Sequence, residues 1–291
     1  MSEHGKGLWL AIAAYILWGG LPLFFKLLHA VPPLQILAHR VVWSVVLLLI
    51  AVLVLRRGNA IRDAARGRTL ALLACSAVLI AVNWLTYIWS VGHAHVIEAS
   101  LGYFINPLVN VALGVALLGE RVGRAQWAAI GVAALGVIVM AVAGGGSVWI
   151  SLVLALSFGV YGYVRKIAAI DPLGGLTVET LLLTAPAVTV LALAMGDGTA
   201  AFGHDVRLDL MLIAAGAITA APLLLFAAAA KRLKYTTLGL LQYIAPTLQL
   251  IQAVLLFGEP LRWFHVVAFA LIWAGCAIYA LAGWQTARQA S

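Results

Sequence analysis

Charge is what this sequence has least of. Only 10% of its 291 residues are Asp, Glu, Lys or Arg, against about 25% in a soluble domain. No polar stretch is long enough to form a water-facing domain, so a soluble globular fold is excluded. Cysteine is scarce too: Cys75 and Cys276 both lie inside apolar runs, and no disulfide framework is implied. The chain contains no G-x-x-x-x-G-K-[S/T] segment and no loop with room for a nucleotide domain, which excludes an ATP-driven pump. No Ser-His-Asp set or carboxylate pair converges, so no enzyme is expected. His93, His95 and Glu98 share a short segment near a span end and do not make a metal site; no cofactor is implied. The first apolar run is too long for a cleaved signal and lacks a small-residue cleavage site. It is expected to remain as a helix.

What the sequence has is hydrocarbon. It is 64% hydrophobic with a mean hydropathy of +1.07, the composition of an integral membrane protein. Ten spans are expected, over 7–28, 35–55, 70–91, 98–118, 125–143, 147–167, 176–195, 209–230, 237–257 and 263–283. Each is long enough to cross a hydrocarbon core about 30 Å thick. Transmembrane strands would be half this length and would alternate. The positive charge is placed by topology. With the N-terminus inside, fourteen of the eighteen Lys and Arg residues fall on the cytoplasmic side, including Arg56, Arg57, Arg62, Arg66 and Arg68. Both termini are therefore expected in the cytoplasm, and the plasma membrane is the expected location. The net charge of +8 is then no sign of nucleic acid; the expected partners are the bilayer and a small-molecule substrate.

The chain is a half-length unit written twice. Leu101–Glu120 (LGYFINPLVNVALGVALLGE) returns as Leu240–Glu259 (LLQYIAPTLQLIQAVLLFGE) at an offset of 139. Pro107 falls on Pro246, Gly119 on Gly258 and Glu120 on Glu259. At an offset of 140, Trp9 meets Trp149, Gly19 meets Gly159 and Lys26 meets Lys166. Two units are expected, 1–143 and 147–291. Five spans per unit means that the second enters the membrane from the opposite side. The expected fold is therefore all-α, ten transmembrane helices as two inverted five-helix repeats. Inverted repeats are a recurring plan of secondary transporters.

The segments Tyr15–Lys26 (YILWGGLPLFFK), His39–Ser44 (HRVVWS), Asn83-Trp84 and Ala99–Leu108 (ASLGYFINPL) carry a resemblance. So do Glu120-Arg121, Gln126-Trp127, Ser157–Lys166 (SFGVYGYVRK) and Glu179-Thr180. Together they resemble the EamA group of drug/metabolite transporters, and more closely the RarD (chloramphenicol-sensitivity) proteins. The resemblance implies a ten-helix fold and transport, with export the expected direction. It implies no particular cargo, because that family name records a drug phenotype. One departure is visible: Gly144–Ser147 stands where the usual proline precedes the sixth span.

Candidate cavity residues follow from helical spacing. Ser100, Tyr103, Asn106 and Asn110 share one face of the fourth span. Gln242, Tyr243, Gln249 and Gln252 occupy the ninth. Asn83, Trp84 and Tyr87 come from the third and Trp18 from the first. Polar side chains facing lipid are costly, so these should face inwards. Asn110 and Gln249 are expected to line one midplane cavity. Pro107 and Pro246 each remove a backbone donor mid-span and are candidate hinges. Six charges lie within spans: Lys26, Arg40 and Glu98 at one end, Arg165, Lys166 and Glu179 at the other. They are expected to form two gates, Arg40 pairing with Glu98, and Glu179 with Arg165 or Lys166. Glu179 is the candidate for proton coupling. A membrane scaffold, receptor or intramembrane enzyme is the alternative to a transporter.

Overall fold

A computed structural model describes residues 2–118, 123–143, 147–168, 170–230, 232–233 and 241–289. Gly119, Glu120, Arg121, Lys231, Lys234, Gly239, Leu240 and 144–146 lie outside the described residues. So do the side chains of Pro107, Gln126 and Lys166, although their backbones are helical.

Among the described residues the chain is all helix. The elements are α1 (Glu3–Gly19), α2 (Leu21–Leu27), α3 (Pro33–Val54), α4 (Gly58–Ala64), α5 (Gly67–Gly92) and α6 (Val96–Leu118). They continue as α7 (Arg124–Ala143), α8 (Val148–Ala168), α9 (Pro172–Gly196) and α10 (Val206–Ala230). Last come α11, running from Ile244 through a π-helical turn at Gln252–Leu256, and α12 (Trp263–Gln289). Among the described residues seven segments, counting α1 and α2 together, are long and apolar enough to cross a bilayer; shorter apolar helices fill 127–143, 244–256 and 263–279. These ten segments overlap the ten expected spans, but three of them are shorter than expected, and residues 237–240 of the ninth span lie outside the described residues. The short α4 was not expected; it folds one of the basic loops.

Local chemistry sets the boundaries. Ser2 caps α1 by accepting from the Gly5 N–H at 3.1 Å, and Asp171 caps α9 through Gly174 at 3.1 Å. α3 and α9 both begin on a proline, whose fixed φ suits the first turn and whose missing N–H would be unpaired there anyway. The outward faces carry large apolar side chains such as Leu53, Val54 and Val142, suited to lipid.

The two units interleave. α1 packs on α10 and α11 of the second unit, and its repeat mate α8 packs on α5 and α6 of the first. α3 packs on α9 and α10, and α9 returns the contact on α3 and α5. α7 lies along α12 and α6 meets α11. The closest approaches repeat as well. A Cβ on Gly136 would come within 2.9 Å of the Ala268 carbonyl, and one on Gly275 within 2.7 Å of the Ala129 carbonyl. These are the same two positions seen from either unit. Small residues let helix backbones meet where lipid offers no hydrophobic driving force. The main core accordingly draws Leu28, Tyr87 and Phe104 from the first unit together with Ile150, Leu212 and Phe269 from the second.

Candidate functional site

Two charged centres lie inside the bundle. α3 and α10 are held together where Ser44 donates to the Gly216 carbonyl at 3.2 Å. About one turn earlier, α3 presents Arg40, which is 3% exposed. Its Nε donates to Thr219 Oγ1 at 2.9 Å, and Thr219 donates onward to the Ala215 carbonyl. The guanidinium lies 4.7 Å from the Trp84 ring centre and 5.1 Å from that of Phe25. Among the described residues its Nη1 has no hydrogen-bond partner. Tyr87 packs edge-on against the same Phe25 at 6.0 Å, and its hydroxyl is also unpartnered. Tyr103 packs on Tyr87 and donates to Asn83 Oδ1 at 3.1 Å. The Asn83 amide donates to the Leu154 carbonyl and to Ser157 Oγ, both at 3.0 Å. This is a buried cation held by aromatic faces and one hydroxyl.

The second centre is Glu179 on α9, 1% exposed. Ser76 of α5 donates to Oε1 in a short hydrogen bond, and Tyr161 donates to Oε2 at 3.4 Å. Arg165 Nη1 lies 3.5 Å from Oε1. The Arg165 guanidinium lies against Gly175, where no side chain intervenes. This carboxylate has a cation and two hydroxyl donors, a complete shell for a buried anion.

A third cluster joins the units at one end of the bundle. Gly258 takes a positive φ of 68°, a conformation that glycine adopts without a Cβ clash. The turn sends the Glu259 carboxylate back to accept from the Val96 and Ile97 N–H groups, each at 2.9 Å. Glu259 thereby caps α6 across the repeat boundary. Burial pushes its carboxyl above the usual range, against the pull of those two N–H groups. Glu98 stands beside it, 3.5 Å from His95 Nδ1 and 3.9 Å from His265 Nε2.

The contact of α1 with α11 carries two backbone breaks. α1 ends at Gly19 and α2 restarts beyond Gly20. In the other partner, residues 242–243 form a turn immediately before α11. Pro246 explains that turn, since its ring clashes with a helical carbonyl four residues back, at Gln242. Gln249 donates to the Trp18 carbonyl at 3.2 Å and Gln252 to the Gly19 carbonyl at 2.7 Å. The amides thus satisfy carbonyls that the interrupted helix leaves free.

The profile of the EamA-like transporter family matches residues 5–142 and again 145–281. The chain belongs to the EamA-like transporter family. It is 43% identical to Protein RarD of Escherichia coli, over 100% of this chain and 99% of the relative. It is 45% identical to Protein RarD of Streptomyces exfoliatus, over 99% of this chain and 92% of that one. An uncharacterised transporter of Pseudomonas aeruginosa is 44% identical, over 98% and 96%. A solved structure described as "Crystal structure of protein" superposes with a TM-score of 0.63 at 21% identity, covering 96% of this chain and 98% of its own, and shares the fold. This EamA chain is therefore an integral, multi-pass membrane transporter of the RarD type.

Within this EamA protein the predicted residues divide into groups. Arg40, Trp84, Tyr87, Tyr103 and Asn83 converge. Trp18, Gln249 and Gln252 meet at the α1–α11 contact. Ser100 bridges the units by donating to the Pro246 carbonyl at 2.7 Å. Asn106 is fully buried, and among the described residues neither amide atom has a partner. Tyr243 stacks on Phe104 at 5.8 Å, and Gln242 is partly buried. Lys26 sits over Phe257 at 5.4 Å and lines a recess of about 350 Å³ with His29, Asp205 and Arg207.

Three expectations need correction. Arg40 does not pair with Glu98; it faces α10 and two aromatic rings, while Glu98 faces His95 and His265. Asn110 and Gln249 are not brought together. Asn110 is exposed beside Gly159 at the α6–α8 contact, whereas Gln249 is buried at the equivalent α11–α1 contact. The prolines also differ: Pro246 lies in the first turn of its helix, and the helix runs unbroken through Pro107. Ser76, Tyr161, Thr219 and Phe25 are not among the predicted site residues, because single hydroxyls and phenylalanines in apolar runs carry no periodic signal; Glu259 is visible in the sequence only as the repeat mate of Glu120. The repeat itself was a usable signal for one of them, since Phe25 and Arg165 correspond at offset 140.

Proposed function

We propose that this protein is a secondary active transporter that exports a small metabolite or drug-like molecule by alternating access between its two repeats. The observation that carries the reading is the exchange of packing partners between units: α1 with α10 and α11, α8 with α5 and α6. Two inversely related sets of contacts permit two states of equal kind, one open to each side. The breaks at Gly20 and at 242–243 provide places for one set to bend. Both termini lie in the cytoplasm and the bundle sits in the plasma membrane, by the Lys/Arg bias. Proton coupling runs through Glu179, whose partners Ser76, Tyr161 and Arg165 come from two other helices. Separating those helices would remove the cation and let the carboxylate take a proton. Counterflow in proteoliposomes carrying a metabolite mixture tests the transport reading; vesicles inert across a broad panel would overturn it. Impermeant labelling of single cysteines in intact cells tests orientation. Positions in 196–208 should react and those in 56–69 should not.

A further inference from the structure

We infer that Arg40 is a binding site for the carboxylate of a small aromatic or flat apolar monoanion, whose ring packs against the aromatic side chains that surround the guanidinium. The inference rests on the transport reading only in taking this site as part of the pathway.

Among the described residues Arg40 has no carboxylate within 4.0 Å. Among those residues its one hydrogen bond uses Nε, and Nη1 is buried without a partner. Guanidinium groups do not shed their proton in proteins, so this one stays charged. A buried, unpaired ion costs several kcal/mol, and aromatic faces offset only about 2 kcal/mol. Tyr87 adds an independent observation. It is 2% exposed, it shares Phe25 with Arg40, and its hydroxyl lacks a partner. A carboxylate placed between them would accept from both orphan donors.

Charge and shape set the class. One uncompensated cation is neutralised by one negative charge; a dianion would leave a net buried charge behind. The lining is aromatic, from Trp84, Phe25, Tyr87 and Tyr103, with Thr219 already committed to Arg40. A flat apolar body suits those faces. Glu179 at the equivalent position has a full shell and offers no such vacancy to an anion.

The test is binding to the purified full-length protein in low-chloride buffer, read by thermal shift and by tryptophan fluorescence. The probes, at alkaline pH, are phenylacetate, its neutral counterpart phenylacetamide, phenylphosphonate, which is a dianion under that condition, and chloride. Phenylacetate should bind saturably and raise the melting temperature, and the amide should do neither. Phenylphosphonate should bind more weakly than phenylacetate. Arg40→Gln should abolish phenylacetate binding. Tyr87→Phe removes only an unpartnered hydroxyl, so its melting temperature should stay at the wild-type value while phenylacetate affinity falls about tenfold. This variant keeps the test decisive even where Arg40→Gln fails to fold. Equal binding of acid and amide, unchanged affinity in Tyr87→Phe, or full occupancy by chloride with no further effect of phenylacetate would overturn the site. Counterflow of other solutes without phenylacetate binding removes this inference alone. Binding through Arg40 in a protein inert to every solute removes the transport reading alone.

Discussion

Arg40 and Glu179 stand at the same position of the two repeats, and their surroundings are chemical opposites. Around Arg40 the neighbouring helix offers Phe25; around Glu179 the equivalent position offers Arg165. The first unit therefore holds a cation against rings with a donor to spare, while the second holds an anion with its shell closed. The same contrast runs through the backbone. The α1–α11 contact is broken on both sides, and its counterpart α8–α6 is continuous in both helices. A duplicated fold sets where residues meet. Later divergence decides whether the meeting place is filled or left open, and rigid or bendable. One unit can thereby specialise towards binding and the other towards coupling without changing the architecture.

The largest expected effect that would sharpen this contrast is functional. Glu179→Gln should abolish pH-gradient-driven accumulation in proteoliposomes while leaving substrate exchange intact. Unchanged pH dependence would reduce Glu179 to a packing element and erase the difference in role between the units. Next in size is the cost of removing each centre's neighbour. Arg165→Ala strands a buried carboxylate and should cost about 3–5 kcal/mol, whereas Phe25→Leu should cost about 0.5–2 kcal/mol through the lost cation–π contact. Thermal unfolding in detergent compares them. Adding Glu179→Gln to Arg165→Ala should restore most of the loss, because no unpaired charge then remains. Equal costs for Arg165→Ala and Phe25→Leu would mean that the closed and open shells are energetically alike.

The backbone half of the comparison has its own test. A Cβ on Gly19 meets Leu248, and one on Gly159 meets Val109. Gly19→Ala and Gly159→Ala should each destabilise by about 1–3 kcal/mol through overpacking. If bending is confined to the broken contact, only Gly19→Ala should also slow counterflow at temperatures where both variants are folded. Equal slowing would place motion in both contacts.

The smallest effect concerns the cap. The folded-state pKa of Glu259 is raised by burial, so the folded protein holds that proton to a higher pH than the unfolded chain does. Its contribution is fully present below the ordinary glutamate value and is lost as pH rises through the raised one. Wild-type stability should therefore decline across that window, and Glu259→Gln should flatten the decline. Parallel pH profiles for the two proteins would show that Glu259 titrates like an exposed carboxylate.

Much of this molecule is written in its one-dimensional pattern. Membrane residence, ten apolar segments, the duplication and the family resemblance all follow from composition, span length and the constant offset, each an additive property of the chain. The pairing of Glu179 with Arg165 was within reach too, because both lie near the same end of neighbouring spans. What only the tertiary structure decided is which face each helix turns to which neighbour. Hydropathy fixes depth in the bilayer but says little about rotation about the helix axis. That rotation sends Arg40 to Thr219, Phe25 and Trp84 instead of Glu98. It separates Asn110 from Gln249 although they are repeat mates, and it brings Glu259 back to the amides of Val96 and Ile97 from 163 and 162 residues away. Side-chain packing between interleaved units sets these choices, and such packing depends on all ten segments at once.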